Sequence, residues 1–157
     1  MTVFPANPSR STWDAWTADG RGFRQLTDGE LERFTLHLPP HRGRVAVDAS
    51  CGIGVFSRQL QRFGYDVTGI DYSDAALTAA RRTGMPHLRY LNHDLDTGDP
   101  PGLPQHGIDL VVCRFVLPFL HDPADWTRRV RDRWLRPGGW MYIVTPSPTD
   151  RPRNRAR

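Results

Sequence analysis

Lysine is absent from this chain: all 21 basic side chains among the 157 residues are arginine. A bias of that kind reads as the coding habit of a G+C-rich genome, not as a surface built for phosphate. Four of the arginines fall in the last seven residues, RPRNRAR, and the first 150 residues carry 17 arginines against 17 acids. The body of the chain is therefore neutral, its formal charge of +4 belongs to the tail, and nucleic acid is not expected as a partner.

Cysteine is scarce. Cys51 and Cys113 stand far apart, each at the expected end of a strand, a pattern that fits neither a disulfide framework nor a zinc site. Two reduced thiols and no metal are expected. Long apolar runs are missing as well: nothing approaches the roughly eighteen residues of a membrane span, and MTVFPANPSR holds no apolar leader segment. A cytoplasmic protein without a membrane partner is expected. No internal repeat is visible, and the length suits one domain with a real core.

What is present centres on RVAVDASCGIGVFSRQL, Arg44 to Leu60. A short apolar strand ends at Asp48, and Ser50-Cys51-Gly52-Ile53-Gly54 makes a small-residue turn where a backbone can approach a ligand. The helix that follows turns its unsatisfied N–H groups toward the same place. Phe56, Leu60 and Phe63 recur at helical spacing, and Gly64 is placed to end the helix.

Before this stretch, residues 1 to 12 read as an irregular lead-in with Pro5 and Pro8. Trp13 and Trp16 then fall on one face of a helical segment, as ordinary packing or as a lid over the ligand site. Thr27 caps a helix carried by Leu31, Phe34 and Leu38 and stopped by Pro39-Pro40. Beyond Gly64, a second strand, Asp66 to Asp71, ends in an acid. A right-handed strand-helix-strand unit brings Asp71 beside the glycine turn, where it can accept hydrogen bonds from ribose hydroxyls. Ser73 caps an alanine-rich helix from Asp74 to Thr83, closed by Gly84.

A third strand, Leu88 to Leu91, leads into Asn92-His93-Asp94-Leu95-Asp96, which brings another acid to the same rim. Thr97 to Gly107 reads as loop, and Ile108 to Cys113 as a strand buried on both faces. After the apolar segment Arg114 to His121, Asp122-Pro123 opens a helix with Trp126, Val130 and Trp134 on its buried stripe. Its other arginine-rich face reads as solvated surface. Arg136-Pro137-Gly138-Gly139 makes a turn into a fifth strand, Trp140 to Thr145, and the Pro/Arg-rich remainder reads as a mobile tail.

Five of these segments, in order, resemble the class I S-adenosylmethionine-dependent methyltransferases. They are VDASCGIG, IDYSDAAL, LNHDLD, IDLVVCRFVLPFL and LRPGGWMYIV. The resemblance implies an α/β fold: a three-layer Rossmann-like sandwich with a mainly parallel sheet in the order 3-2-1-4-5, lacking the usual last two strands. It divides the chain into an N-terminal arm and flanking helix (1–43), a cofactor-binding domain (44–145) and a tail (146–157). It implies a cofactor-binding set of Asp48, Ser50, Gly52, Gly54, Asp71, Tyr72, Asp94, Leu95 and Cys113. Asp48 would lie near the methionine amino group, with Gly52 and Gly54 admitting the methionine and ribose. Asp71 would hold the ribose hydroxyls, Tyr72 would pack beside the adenine and Asp94 would face its amino group. The Cys113 backbone would hold the amino-acid end. Where the family commonly has a first glycine, this chain has Ser50, whose Cβ crowds the pocket if φ is positive.

The activity implied is in-line methyl transfer from S-adenosyl-L-methionine to a small-molecule acceptor, with positioning supplying most of the rate. His121, His93 and Arg114 are candidates for handling a proton or an anionic acceptor. Two alternatives are a cofactor-binding module without turnover, its acceptor site incomplete, and a nicotinamide-dependent oxidoreductase that reads Gly52 to Ser57 as a dinucleotide turn. In the order 3-2-1-4-5 the fifth strand is left at an edge, so a homodimer through that edge is expected.

Overall fold

The computed structural model describes residues 8–18, 24–38 and 41–146. Its centre is a five-stranded sheet in the order β3-β2-β1-β4-β5, formed by β1 (Val45–Ala49), β2 (Asp66–Asp71), β3 (Leu88–Asn92), β4 (Ile108–Arg114) and β5 (Leu135–Val144). Every pairing is parallel, so the sheet is the expected one, without an antiparallel pair among the described residues. The helices are α1 (Arg10–Ala18), α2 (Asp28–His37), α3 (Val55–Arg62), α4 (Asp74–Arg81) and α5 (Pro123–Arg129).

Strand residues alternate between the two faces of a sheet, and the apolar runs of β1 and β4 are used on both sides. Ala46, Leu110 and Val112 meet Phe34 of α2 with Phe56 and Leu60 of α3, while Val47, Val111 and Cys113 meet Trp126, Val130 and Trp134. Phe34 is the hinge of the first layer, edge-on to Phe56 at 5.3 Å and to Tyr142 at 5.0 Å. Trp126 and Trp134 pack edge-to-face at 6.0 Å in the second. Truncating either tryptophan to alanine would cost about 3–5 kcal/mol.

The expected caps are in place: Thr27, Ser73 and Asp122 accept from the amides of Glu30, Ala76 and Asp125. Four boundaries differ from the expectation. Ser9 bonds the Thr12 amide at 3.3 Å and starts α1 at Arg10, inside the supposed lead-in. Helix α4 stops at Arg81, short of Gly84. Helix α5 runs on into a π-helical turn, Val130–Trp134, which keeps both Val130 and Trp134 inward. Strand β5 begins at Leu135, because Arg136 to Gly139 forms a bulge between the pairs Ile108↔Leu135 and Leu110↔Trp140 instead of a turn before the strand. Gly139 is obligatory in that bulge, since a Cβ there would lie 2.9 Å from the Ile108 carbonyl. The expected tail lies outside the described residues, apart from Pro146.

Candidate functional site

Parallel strands point their carboxyl ends to one side, so the residues just past each strand share a rim. There the structure has a cavity of about 390 Å³, lined by Ser50 and Gly52 after β1, Asp71 and Tyr72 at β2, Asp94 and Leu95 after β3, and Arg114 and Phe115 at β4. Helix α1 closes it from above with Trp13 and Trp16, and Phe119, Leu120 and His121 form the far wall. Trp13 stands edge-on to Phe119, 5.6 Å between centroids. The segment read as packing or lid is thus a cover over the cavity.

The turn after β1 alternates left-handed residues: Ser50 at φ 62°, Gly52 at 54° and Gly54 at 77°. Ser50, a lining residue of the cavity, therefore occupies the strained conformation, at about 1–2 kcal/mol relative to a glycine backbone. The two glycines serve different ends. A Cβ on Gly52 would meet nothing within 4 Å, so its missing side chain leaves cavity space, whereas one on Gly54 would lie 2.2 Å from Tyr90 Oη. Gly54 makes room for Tyr90 of β3 and does not line the cavity.

Asp71 is buried and is held by two backbone donors: Gly52 N gives to Oδ2 at 2.8 Å and Ser73 N to Oδ1 at 2.9 Å. Burial raises its pKa, with the Asp14 charge adding and the N–H bonds opposing. Each carboxylate oxygen retains a lone pair for a further donor. Burial, reinforced by the charges of Asp71 and Asp94, pushes the neighbouring Tyr72 hydroxyl up to about 12, so the ring stays a neutral phenol. Asp94 Oδ1 accepts from the Asp96 amide at 3.0 Å, a cap on the short 3₁₀ turn Leu95–Thr97.

Asp48 and Cys113 are buried in the sheet and do not line the cavity. Each lies one residue short of its strand's end, below the rim, and strand parity sets the face it takes. Asp48 follows Ala46 onto the α3 face, where Ser57 Oγ donates to its Oδ2 at 2.6 Å, and burial raises its pKa to about 6. Cys113 follows Val111 onto the other face, and burial pushes its thiol up to about 12. Both cysteines are free thiols.

Arg114 is held by Glu30, which accepts from its Nε and, at 2.9 Å, from a terminal nitrogen; both side chains are largely buried. Its guanidinium also lies 5.2 Å from the Phe56 ring centroid and 5.4 Å from that of Phe115. His93 places Nε2 3.1 Å from the Gly98 carbonyl, and His121 is an exposed rim residue whose amide donates to Asp96 Oδ1 at 2.9 Å. Among the described residues no three His, Cys, Asp or Glu gather to hold a metal, and no helix is long and apolar enough to cross a membrane.

Sequence reasoning missed Glu30, Ser57, Tyr90 and the polar residues of α1 as partners of the site. One signal was available. Glu30 and Phe34 are a helical turn apart, and both are buried, so Glu30 is an acid on an apolar stripe.

The methyltransferase domain family matches residues 47–143, from β1 to β5. The ubiquinone biosynthesis O-methyltransferase of Albidiferax ferrireducens is 30% identical over 138 residues, covering 83% of this chain and 52% of that protein. The protein of the same name from Hydrogenovibrio crunogenus is 30% identical over 142 residues, covering 88% and 57%. The crystal structure of an S-adenosylmethionine-dependent methyltransferase from Mesorhizobium loti superposes with a TM-score of 0.68 at 32% identity, over 83% of this chain and 56% of that one. The chain thus spans about half the length of the relatives it matches. A family match that runs from the glycine turn to the last strand sets the nicotinamide alternative aside, and the chain belongs to the S-adenosylmethionine-dependent methyltransferase family.

Proposed function

We propose that this chain binds S-adenosylmethionine under α1 and transfers its methyl group to a small-molecule acceptor. The observation that carries the reading is the single cavity wall on which a Cβ-free backbone at Gly52, the Asp71 carboxylate, the Tyr72 ring and Asp94 meet. At about 390 Å³ it falls within the usual range of small-molecule sites. When bound, the cofactor supplies an activated methyl on a sulfonium sulfur. Asp71 accepts from the ribose hydroxyls with the lone pairs left by Gly52 N and Ser73 N. Tyr72 flanks the adenine, Asp94 and Leu95 bound its far edge, and Ser50 and Gly52 line the path of the amino-acid end. Asp48 acts from below, through Ser57 at the start of α3, and Gly54 and Cys113 shape the turn and strand without touching the ligand.

The tryptophans and Phe119 exclude water and suit a planar or apolar acceptor. His121 is the rim side chain assigned to take the proton if the acceptor is a hydroxyl. Arg114, neutralised by Glu30, holds the start of the Phe115 loop and does not serve an anionic acceptor. On this reading residues 1–43 are the cover and its flanking helix, and 44–145 the cofactor-binding domain. The arginines of α5 and the turn after it pair with Asp125, Asp132 and Asp99, which supports the absence of a nucleic-acid partner. The free thiols support a cytoplasmic location.

One observation favours a second reading, a binding module that lacks turnover as a monomer. Strand β5 pairs only with β4 among the described residues, and Trp140 and Ile143 are 57% and 40% exposed. A homodimer across that edge would complete the sheet. Calorimetric titration with S-adenosylmethionine and S-adenosylhomocysteine tests the cofactor reading. Product formation across a panel of phenols and other small nucleophiles, at concentrations spanning any dimerisation, decides between enzyme and module.

A further inference from the structure

Helix α1 reaches the Asp71-Tyr72-Ser73 corner through two polar side chains, Arg10, which also lines the cavity, and Asp14, which does not. The Arg10 guanidinium lies 5.3 Å from the centre of the Tyr72 ring, and Asp14 Oδ1 accepts from Ser73 Oγ. Ser73 Oγ in turn accepts from Ala76 N at 3.1 Å, and Ser73 N donates to Asp71 Oδ1, whose other oxygen takes Gly52 N. An unbroken line of hydrogen bonds therefore runs from the cover, Asp14, through Ser73 and Asp71 to the glycine turn. The same helix also sets Trp13 against Phe119, another residue of the cavity lining.

Asp14 is an unfavourable choice for a mere contact. It brings a second carboxylate to the corner where Asp71 is already buried, and like charges sharing a site repel. Asp14 itself does not line the cavity, so whatever it does is done through Ser73.

We propose that Asp14 is a positioning residue that couples occupancy of the nucleoside half of the cavity to the seating of α1, and through Trp13 to the aromatic wall of the acceptor half. The inference rests on the cofactor reading above. It makes cofactor and acceptor binding mutually favourable, because coupling of this kind is reciprocal. The acceptor wall is complete only after the nucleoside is in place.

The test is hydrogen exchange of the α1 amides, with and without saturating S-adenosylhomocysteine or 5′-methylthioadenosine, in the wild type, Asp14→Ala and Asp14→Asn. In the wild type both ligands should slow α1 exchange about tenfold, the second because it fills only the nucleoside half. Asp14→Ala should bind both ligands more weakly by a common factor of about ten and show little slowing even at saturation. Asp14→Asn, which keeps the Oδ1 acceptor, should recover most of the slowing. Wild-type affinity and slowing in Asp14→Ala overturn the proposal, as does saturable binding to the wild type with α1 exchange unchanged. Absence of any saturable heat from S-adenosylhomocysteine overturns the cofactor reading itself, and this coupling with it.

Discussion

Replacing Asp71 with alanine removes three things at once, and the structure separates their sizes. The carboxylate is the acceptor for Gly52 N and Ser73 N at 2.8 and 2.9 Å, so the variant leaves two amides without it in a place where little water reaches. Each unsatisfied amide costs about 1–3 kcal/mol, and the lost burden of a buried charge offsets part of that, for a net destabilisation of about 2–4 kcal/mol. The third loss concerns only the ligand. Ribose hydroxyls deprived of a charged acceptor forfeit about 1.5–3 kcal/mol, or roughly tenfold to a hundredfold in affinity.

Urea unfolding gives the first quantity, and calorimetric titration with S-adenosylhomocysteine the second. Asp71→Asn should fall between, since its one carbonyl oxygen can serve one of the two amides while its NH₂ confronts the other. The raised pKa of Asp71 adds a signature: wild-type affinity should decline on acidification from a higher pH than an ordinary carboxylate would give, because a protonated Asp71 donates instead of accepting. The alanine variant should lack that decline. If Asp71→Ala binds as tightly as the wild type, the ribose assignment fails; if it is equally stable, the bracing of the glycine turn fails.

Asp48, raised by burial from 3.8 to about 6, holds its proton more tightly folded than unfolded, so its contribution to stability is present below pH 4 and is lost as pH rises to about 6. Asp48→Asn, which keeps an acceptor for Ser57, should therefore gain on the wild type by up to about 3 kcal/mol between pH 4 and 7, and a pH-independent difference in denaturation free energy would refute this. Gly54→Ala should cost about 2–5 kcal/mol, from the left-handed φ and the collision with Tyr90 Oη. Tyr90→Phe in the same chain should return part of that cost, and strictly additive unfolding energies would show that the collision is relieved elsewhere. For the β5 edge, sedimentation at micromolar concentration should show a dimer whose β5 amides are protected, and a monomer with β5 protected as well as β1 and β4 would sink the edge pairing.

The parts of this molecule that could be read from its sequence are those set by neighbours in the chain. Each strand is a short apolar run closed by a polar rim residue, and right-handed connections then fix the order, so Ser50, Gly52, Asp71, Tyr72, Asp94 and Leu95 reach one cavity without any contact being known beforehand. The start of β5 was misread because proline and two glycines signal a turn equally well when they form a bulge inside a strand. Asp48 and Cys113 each stop one residue short of a strand end, so their side chains are buried in the sheet below the rim, on opposite faces, a placement that a motif does not encode.

What the sequence withheld are polar pairs made across long separations. Asp14 is 59 positions from Ser73, and Glu30 is 84 from Arg114. Neither pair has a pattern that links its two members: Glu30 stands out only as an acid on an apolar stripe, and a helix accepts an aspartate such as Asp14 at little cost. Their effect nonetheless reaches the site. Glu30 fixes the arginine from which the Phe115 loop departs at a φ of 58°, and Asp14 holds the serine whose amide donates to Asp71. The rim residues follow from the fold, whereas the residues that aim them are set by which helix comes to rest on the rim, and only three-dimensional packing specifies that.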